Sequence, residues 1–163
     1  MSFEKHFDKF QCYYLDQEDN TAYLSKLVEL ASRAEVVTVD LETTGLNPLE
    51  DQISLIGVGV NDKESGWNCF LFDQLAHDFT KTLSPLLESK KTYKLGHNFK
   101  FDWSFLWYQM GIDCQPILDT MLAAIVCEYG TMQEKGRWGL AALSLEKLGC
   151  HMDKEEELRT SFK

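Results

Sequence analysis

No apolar run in this chain approaches the ~20 residues that a membrane-spanning helix requires. The opening stretch, MSFEKHFDKFQ, carries charge throughout and leaves no apolar core for a secretory signal. Both absences point to a cytoplasmic protein. No C-x-x-C pair occurs among Cys12, Cys69, Cys114, Cys127 and Cys150, and their number is odd. That disfavours a disulfide framework and a zinc site, and leaves the cysteines as expected small core residues. Positive charge is scarce, with 16 Lys and Arg against 26 Asp and Glu and a net charge of −10. A protein that coats nucleic acid over a broad surface is normally basic, so that class is disfavoured. An enzyme that gathers carboxylates and grips only a few phosphates stays compatible with the charge. No Gly-rich phosphate loop follows the first strong strand, which argues against a doubly wound nucleotide-binding fold. Repeats, linkers and low-complexity tracts are missing too. The 163 residues, 44% hydrophobic, therefore read as a single domain, 1–163, with a proper core.

What the chain does have is the stretch Val36-Val37-Thr38-Val39-Asp40-Leu41-Glu42-Thr43-Thr44-Gly45-Leu46. It begins as a β-branched apolar run, the mark of a buried strand. Asp40 and Glu42 then follow two residues apart, which on a strand turns both carboxylates the same way. Like charges side by side at the end of an apolar strand repel each other and pay for any burial. A hard divalent cation with oxygen ligands resolves that conflict. The plain alternative is that Asp40 caps the strand and Glu42 opens a polar loop.

Along the chain, Phe10-Gln-Cys-Tyr-Tyr-Leu15 suits a short edge strand. Asp19-Asn20-Thr21 suits a helix start, with Leu24, Leu27, Val28 and Ala31 giving an amphipathic helix over about 21–33. The carboxylate strand covers about 35–42, a second strand 52–60, and a third 67–72 beyond a turn at 61–66, the pattern of an antiparallel meander. A helix is expected over about 76–88, with Phe79, Leu83, Leu86 and Leu87 inward. A short strand and turn follow at 90–96, and a helix opens at His97 and ends at Gly111. Further helices run from Asp119-Thr120 through Cys127 and across Leu140–Leu148, around a loop at 128–138. The tail after Cys150 is polar and acidic.

Asp40-x-Glu42-Thr43-x-x-Leu46, followed by Gly96-His97-Asn98-x-Lys100-Phe101-Asp102, resembles motifs I and II of the DEDD 3′–5′ exonuclease superfamily. Within it, the likeness is closest to the proofreading domain of family A DNA polymerases and to ribonuclease D-like proteins. It runs from about residue 35 to 162, with Leu118-Asp119-Thr120-Met121 and Leu140–Gly149 similar to later helices of that family. The resemblance implies a ribonuclease H-like α/β fold, its central mixed sheet having the first three strands antiparallel and helices on both faces. It implies that Asp40, Glu42 and Asp102 bind two Mg²⁺ or Mn²⁺ ions at the terminal phosphodiester of a single-stranded DNA end, with RNA as an alternative substrate. Thr43 and Leu46 would contact the terminal nucleotide, and Asn98 and Phe101 the penultimate one. Lys100 and Lys94 are available for backbone phosphates. Structural alternatives exist for Asp102 as a helix N-cap, and for Phe101 and Leu46 as core. Asp119 reads as an N-cap rather than a ligand.

The family's fourth carboxylate comes from a third motif, Tyr-x-x-x-Asp or His-x-x-x-x-Asp, expected on a later helix, and nothing downstream of Asp102 matches it. Tyr129 is followed at that spacing by Gln133, and His151 by Glu156, a poor surrogate. The expectation is a C-terminally truncated or split domain, impaired alone or completed by a second chain or DNA polymerase partner, with an apolar patch exposed near its C-terminus. The competing class is a non-catalytic remnant that binds nucleic-acid ends or acts as a scaffold.

Overall fold

The computed structural model describes residues 10–17, 20–128 and 136–152. Phe3, Phe7, Asp19, Tyr129, Gln133 and Glu156, with most of the acidic tail, lie outside the described residues. In chain order the elements are β1 (Phe10–Leu15), α1 (Thr21–Arg33), β2 (Val36–Thr43), β3 (Ile53–Asp62), β4 (Gly66–Asp73) and α2 (Thr80–Leu87). There follow β5 (Tyr93–Gly96), α3 (Lys100–Met110), β6 (Ile117–Asp119), α4 (Thr120–Cys127) and α5 (Leu140–Leu148).

The strands form one sheet in the order β1-β4-β3-β2-β5-β6. β2, β3 and β4 make the expected antiparallel meander, with Asp40 opposite Gly57 and Val58 opposite Phe70. The turn between β3 and β4 is closed by Asp62, whose carboxylate accepts from the Glu64 and Ser65 amides at 3.0 Å, and by Gly66 at φ 74°. The edge strand β1 runs parallel to β4. After α2 the chain crosses over and lays β5 parallel to β2, then β6 parallel to β5. Helices flank the sheet. The carboxyl ends of β2, β5 and β6 therefore finish side by side at one rim, which is where open α/β sheets place ligands.

The alternation along β2 buries Val37, Val39 and Leu41 and leaves Asp40 and Glu42 exposed. Those apolar side chains join Ile56, Val58, Phe70 and Phe72 from the sheet, Leu27 and Leu30 from α1, Leu83 and Leu87 from α2, and Phe105 and Leu106 from α3. Each such large side chain contributes about 1.5–3 kcal/mol by leaving water.

Several expectations are corrected here. Only Cys114 among the cysteines is buried; Cys12 and Cys127 are exposed and the other two are half-buried. Val28 is exposed, because Leu27, Leu30 and Ala31 take the inward face of α1. α2 starts at Thr80 rather than near 76: Asp73 Oδ1 accepts from the Leu75 and Ala76 amides and Gln74 Oε1 from Phe79, holding this stretch in turns. α3 starts at Lys100, because Asn98 adopts φ 58°. The strand β6, between the Pro116 turn and α4, was not anticipated. α4 buries no residue completely, and Leu122, Val126, Leu140, Leu145 and Leu148 leave the expected apolar patch exposed.

Candidate active site

Asp40 and Glu42 leave β2 just before a β-bulge between Glu42 and Thr43, where the pairing with β3 shifts. Such a bulge bends the strand and re-aims the side chains beside it. The buried Leu41 lies between them. Its amide donates to Asp102 Oδ1 at 3.0 Å, so the first turn of α3 is pinned to β2 between the two acidic positions. Asp102 is only 4% exposed. Its carboxyl is pushed up to about 7, first by burial and then by the charge of Asp40, against the opposing pull of the Leu41 amide. A carboxyl in that state marks a place short of positive charge.

The corner that delivers α3 is built tightly. A Cβ on Gly96 would lie 2.3 Å from the Phe99 ring and 3.1 Å from the Val39 carbonyl oxygen, so only glycine ends β5 here. Asn98 takes the left-handed conformation next, which Asn tolerates better than most residues. The Asp119 carboxylate then gathers amides from two helix starts. It accepts from Asn98 N at 3.1 Å and Phe99 N at 2.8 Å, and from Met121 N at 2.8 Å and Leu122 N at 3.3 Å. Asp119 is thus the N-cap of α4, as its sequence context predicts, and also a tie that sets where α3 begins. His97 Nδ1 lies 2.9 Å from Thr120 Oγ1, and that hydroxyl donates to the Gly96 carbonyl at 3.1 Å.

The loop after β2 is held to the same helix. Gln109, two turns along α3 from Asp102, donates to the Pro48 carbonyl at 3.2 Å and to that of Asp51, and accepts from Ile53 N at 3.1 Å. Sequence reasoning missed Gln109; its seven-residue spacing from Asp102 on one helix was the available signal. Leu46 rides on this loop, 80% exposed, so it is not a core residue. Thr43 is half-buried, with its hydroxyl donating to the Gly45 carbonyl at 2.6 Å. Asn98 and Lys100 are exposed at the head of α3. Phe101 packs partly against the core, its ring 5.0 Å from that of Phe105. Lys94 is corrected: it is fully buried, and its ammonium donates to the carbonyls of Ser89 at 2.8 Å, Thr92 at 2.9 Å and Gln115. It braces the chain before and after β5 and cannot reach a phosphate.

A family model described as 3′–5′ exonuclease matches residues 16–160. The chain belongs to the 3′–5′ exonuclease family. Among curated relatives, ribonuclease D of Desulfotalea psychrophila is 29% identical over 136 residues, covering 83% of this chain and 34% of that protein. The chain spans about a third of the length of the curated relatives it matches. Among solved structures, Trypanosoma brucei RNase D in complex with RNA U12 superposes with a TM-score of 0.73 at 21% identity, covering 96% of this chain and 52% of that one. Brucella melitensis NrnC superposes with a TM-score of 0.69 at 21% identity, covering 90% and 64%. NrnC has also been solved with bound Mg²⁺ and bound to pGG. These likenesses establish the ribonuclease H-like, RNase D-type fold for the chain.

This exonuclease family is divalent-metal dependent. The oxygen donors of Asp40, Glu42 and Asp102 have the chemistry such an ion needs, and the raised Asp102 carboxyl is what one positive charge nearby would relieve. Among the described residues no three His, Cys, Asp or Glu side chains form a preassembled metal cage. Mg²⁺ characteristically keeps several waters and uses one or two carboxylates together with substrate phosphates. Asp40 and Glu42 stand exposed on β2, while the Asp102 carboxyl is buried beside the Leu41 amide. Among the same residues, no helix is long and apolar enough to cross a membrane.

Proposed function

We propose that this chain carries the 3′–5′ exonuclease chemistry of the RNase D type, removing nucleotides from single-stranded 3′ ends with divalent metal ions held by Asp40, Glu42 and Asp102. The observation that carries this reading is the Leu41 amide clasping Asp102 between the two carboxylates of β2. RNA is the preferred substrate, on the strength of the ribonuclease D relatives and of the trypanosomal neighbour bound to RNA U12. Single-stranded DNA is the second reading.

A bound divalent ion supplies Lewis acidity at the scissile phosphate and lowers the pKa of a coordinated water. The chain's own residues do the rest. Asp40 and Glu42, exposed at the rim, and Asp102, held by the Leu41 amide, would hold such ions beside the terminal phosphate. Leu46 presents an apolar side chain to the last base, with Thr43 beneath it. Asn98 and Phe101 orient the nucleotide behind, and Lys100 pairs with a backbone phosphate.

The test is nucleotide release from 5′-labelled RNA and DNA oligonucleotides of one sequence, with Mg²⁺ and with Mn²⁺. Stepwise shortening from the 3′ end, abolished by Asp40→Ala, supports the reading. Binding of the oligonucleotides without shortening, even after a peptide bearing the third motif is added, favours the end-binding scaffold instead.

A further inference from the structure

At the opposite edge of the sheet from the carboxylates, Cys12 on β1 and Cys69 on β4 are direct register partners in a parallel pair. Partners at the same register on parallel strands project to the same face, and neighbouring strands lie about 4.7–4.9 Å apart. That spacing falls inside the Cα separation of roughly 4.4–6.8 Å that a disulfide spans. Cys12 is also close enough to add to the upward push that burial exerts on the Cys69 thiol. Cys12 is exposed on the edge strand while Cys69 is half-buried behind it. The other cysteines lie elsewhere: Cys127 on α4, Cys114 between α3 and β6, and Cys150 after α5.

We propose that Cys12 and Cys69 form a modification site, an oxidisable dithiol that reacts with a low-molecular-weight disulfide of the glutathione class and closes into a reversible staple between β1 and β4. The exposed Cys12 thiolate attacks one sulfur of the small disulfide, forming a mixed disulfide and releasing one small thiolate, which takes up the proton Cys12 gave up. Cys69 then loses its proton and attacks the Cys12 sulfur, forming the protein disulfide and expelling the second small thiolate, which is protonated in turn. Two protein thiols are oxidised and one small disulfide is reduced to two thiols.

The order of attack follows from the structure. Burial, with the neighbouring Cys12 adding to it, pushes the Cys69 thiol up to about 11, so Cys69 is a poor first nucleophile. Once a small thiol caps Cys12, however, Cys69 sits beside the sulfur it must attack, and intramolecular attack needs no second encounter. The closed loop contains α1, β2 and β3, and long loops are the ones whose closure most restricts the unfolded chain. The staple also secures the sheet's outermost strand. That strand is otherwise anchored by its ladder to β4, by the Tyr14 hydroxyl donating to Asp73, and by Tyr13 stacking on Phe70 at 4.9 Å.

The test uses the full chain incubated with excess oxidised glutathione, then read by intact mass, non-reducing peptide mapping and thermal melting. The expected product has lost two hydrogens, yields a peptide joining Cys12 to Cys69, melts several degrees higher and returns to the starting state with dithiothreitol. Cys69→Ser traps the glutathione adduct on Cys12, and Cys12→Ser gives neither the cross-linked peptide nor the gain in melting temperature. A wild-type product that keeps glutathione on Cys12 while Cys69 stays reduced overturns the proposal. So does a cross-link between other cysteines in place of this one.

Discussion

The buried carboxyl of Asp102 offers a perturbation whose size and sign follow from the structure. Its folded-state pKa of about 7 stands above the ordinary carboxylate value of 3.8. The folded chain therefore binds a proton that the unfolded chain has lost over the window from about pH 4 to pH 7. In that window stability falls as pH rises, because the folded state must give up a proton it holds more tightly. The cost is absent below the unfolded pKa and fully present above the folded one. At 1.36 kcal/mol per pH unit, the full cost is on the order of 4 kcal/mol, of which water reaching the rim removes part. Asp102→Asn keeps the shape and an oxygen for the Leu41 amide while removing the titration. Urea unfolding of both proteins in EDTA, from pH 4.5 to pH 8, gives the difference directly. Wild type is expected to lose stability relative to Asp102→Asn by roughly 2–4 kcal/mol across that span, and millimolar Mg²⁺ restores wild type selectively at pH 8. A difference that stays flat with pH, or rises, would refute the reasoning that Asp102 is a buried carboxyl facing another negative charge.

Four further outcomes follow from the same geometry. Asp119→Ala strands four amides at two helix starts and is expected to lower stability by about 2–4 kcal/mol, measured by urea unfolding, with nucleotide release falling further because α3 loses its anchor. Leu46→Ala, at an exposed loop position, should leave stability within about 0.5 kcal/mol while weakening cleavage of single-stranded ends in the release assay. Lys94→Met buries an uncharged side chain and leaves three backbone carbonyls, that of Thr92 buried, without their donor; it is expected to cost about 2–3 kcal/mol in unfolding experiments, without altering the salt dependence of oligonucleotide binding. Lys100→Ala should do the reverse, flattening the salt dependence by close to one charge in a binding titration and leaving the melting temperature unchanged.

The contrast between those two lysines shows what a sequence reveals and what it hides. Both stand beside the acidic motifs, and charge alone assigns both to phosphates. Lys94 falls at an inward position of β5, where the carbonyls of Ser89, Thr92 and Gln115 converge on it, and no local pattern announces that Gln115, 21 residues further along, completes the set. Periodicity did suffice where an element satisfies itself. α1 occupies residues 21–33 as its apolar spacing predicts, and Gly111 and Gly149, both at positive φ, end α3 and α5. It failed where side chains override it. Asp73, Gln74 and Asp78 hold residues 74–80 in turns and delay α2, and β6 at three residues is too short to carry any period. The strand bearing Asp40 and Glu42 and the helix bearing Asp102 were both legible. The amide of Leu41 that joins them, and the tie from Gln109 to the loop of Leu46, belong to pairs more than fifty residues apart. Side-chain pairing over that range leaves no trace in local composition.

The most direct measurement is Mn²⁺ titration of the full chain by calorimetry at pH 8, for wild type and for Asp40→Ala, Glu42→Ala and Asp102→Ala. Wild type is expected to bind saturably, weakened at least tenfold by each substitution, since one set of oxygens holds the ions. Binding that is undiminished by Asp102→Ala would contradict it, because the carboxyl clasped by Leu41 would then lie outside any metal site.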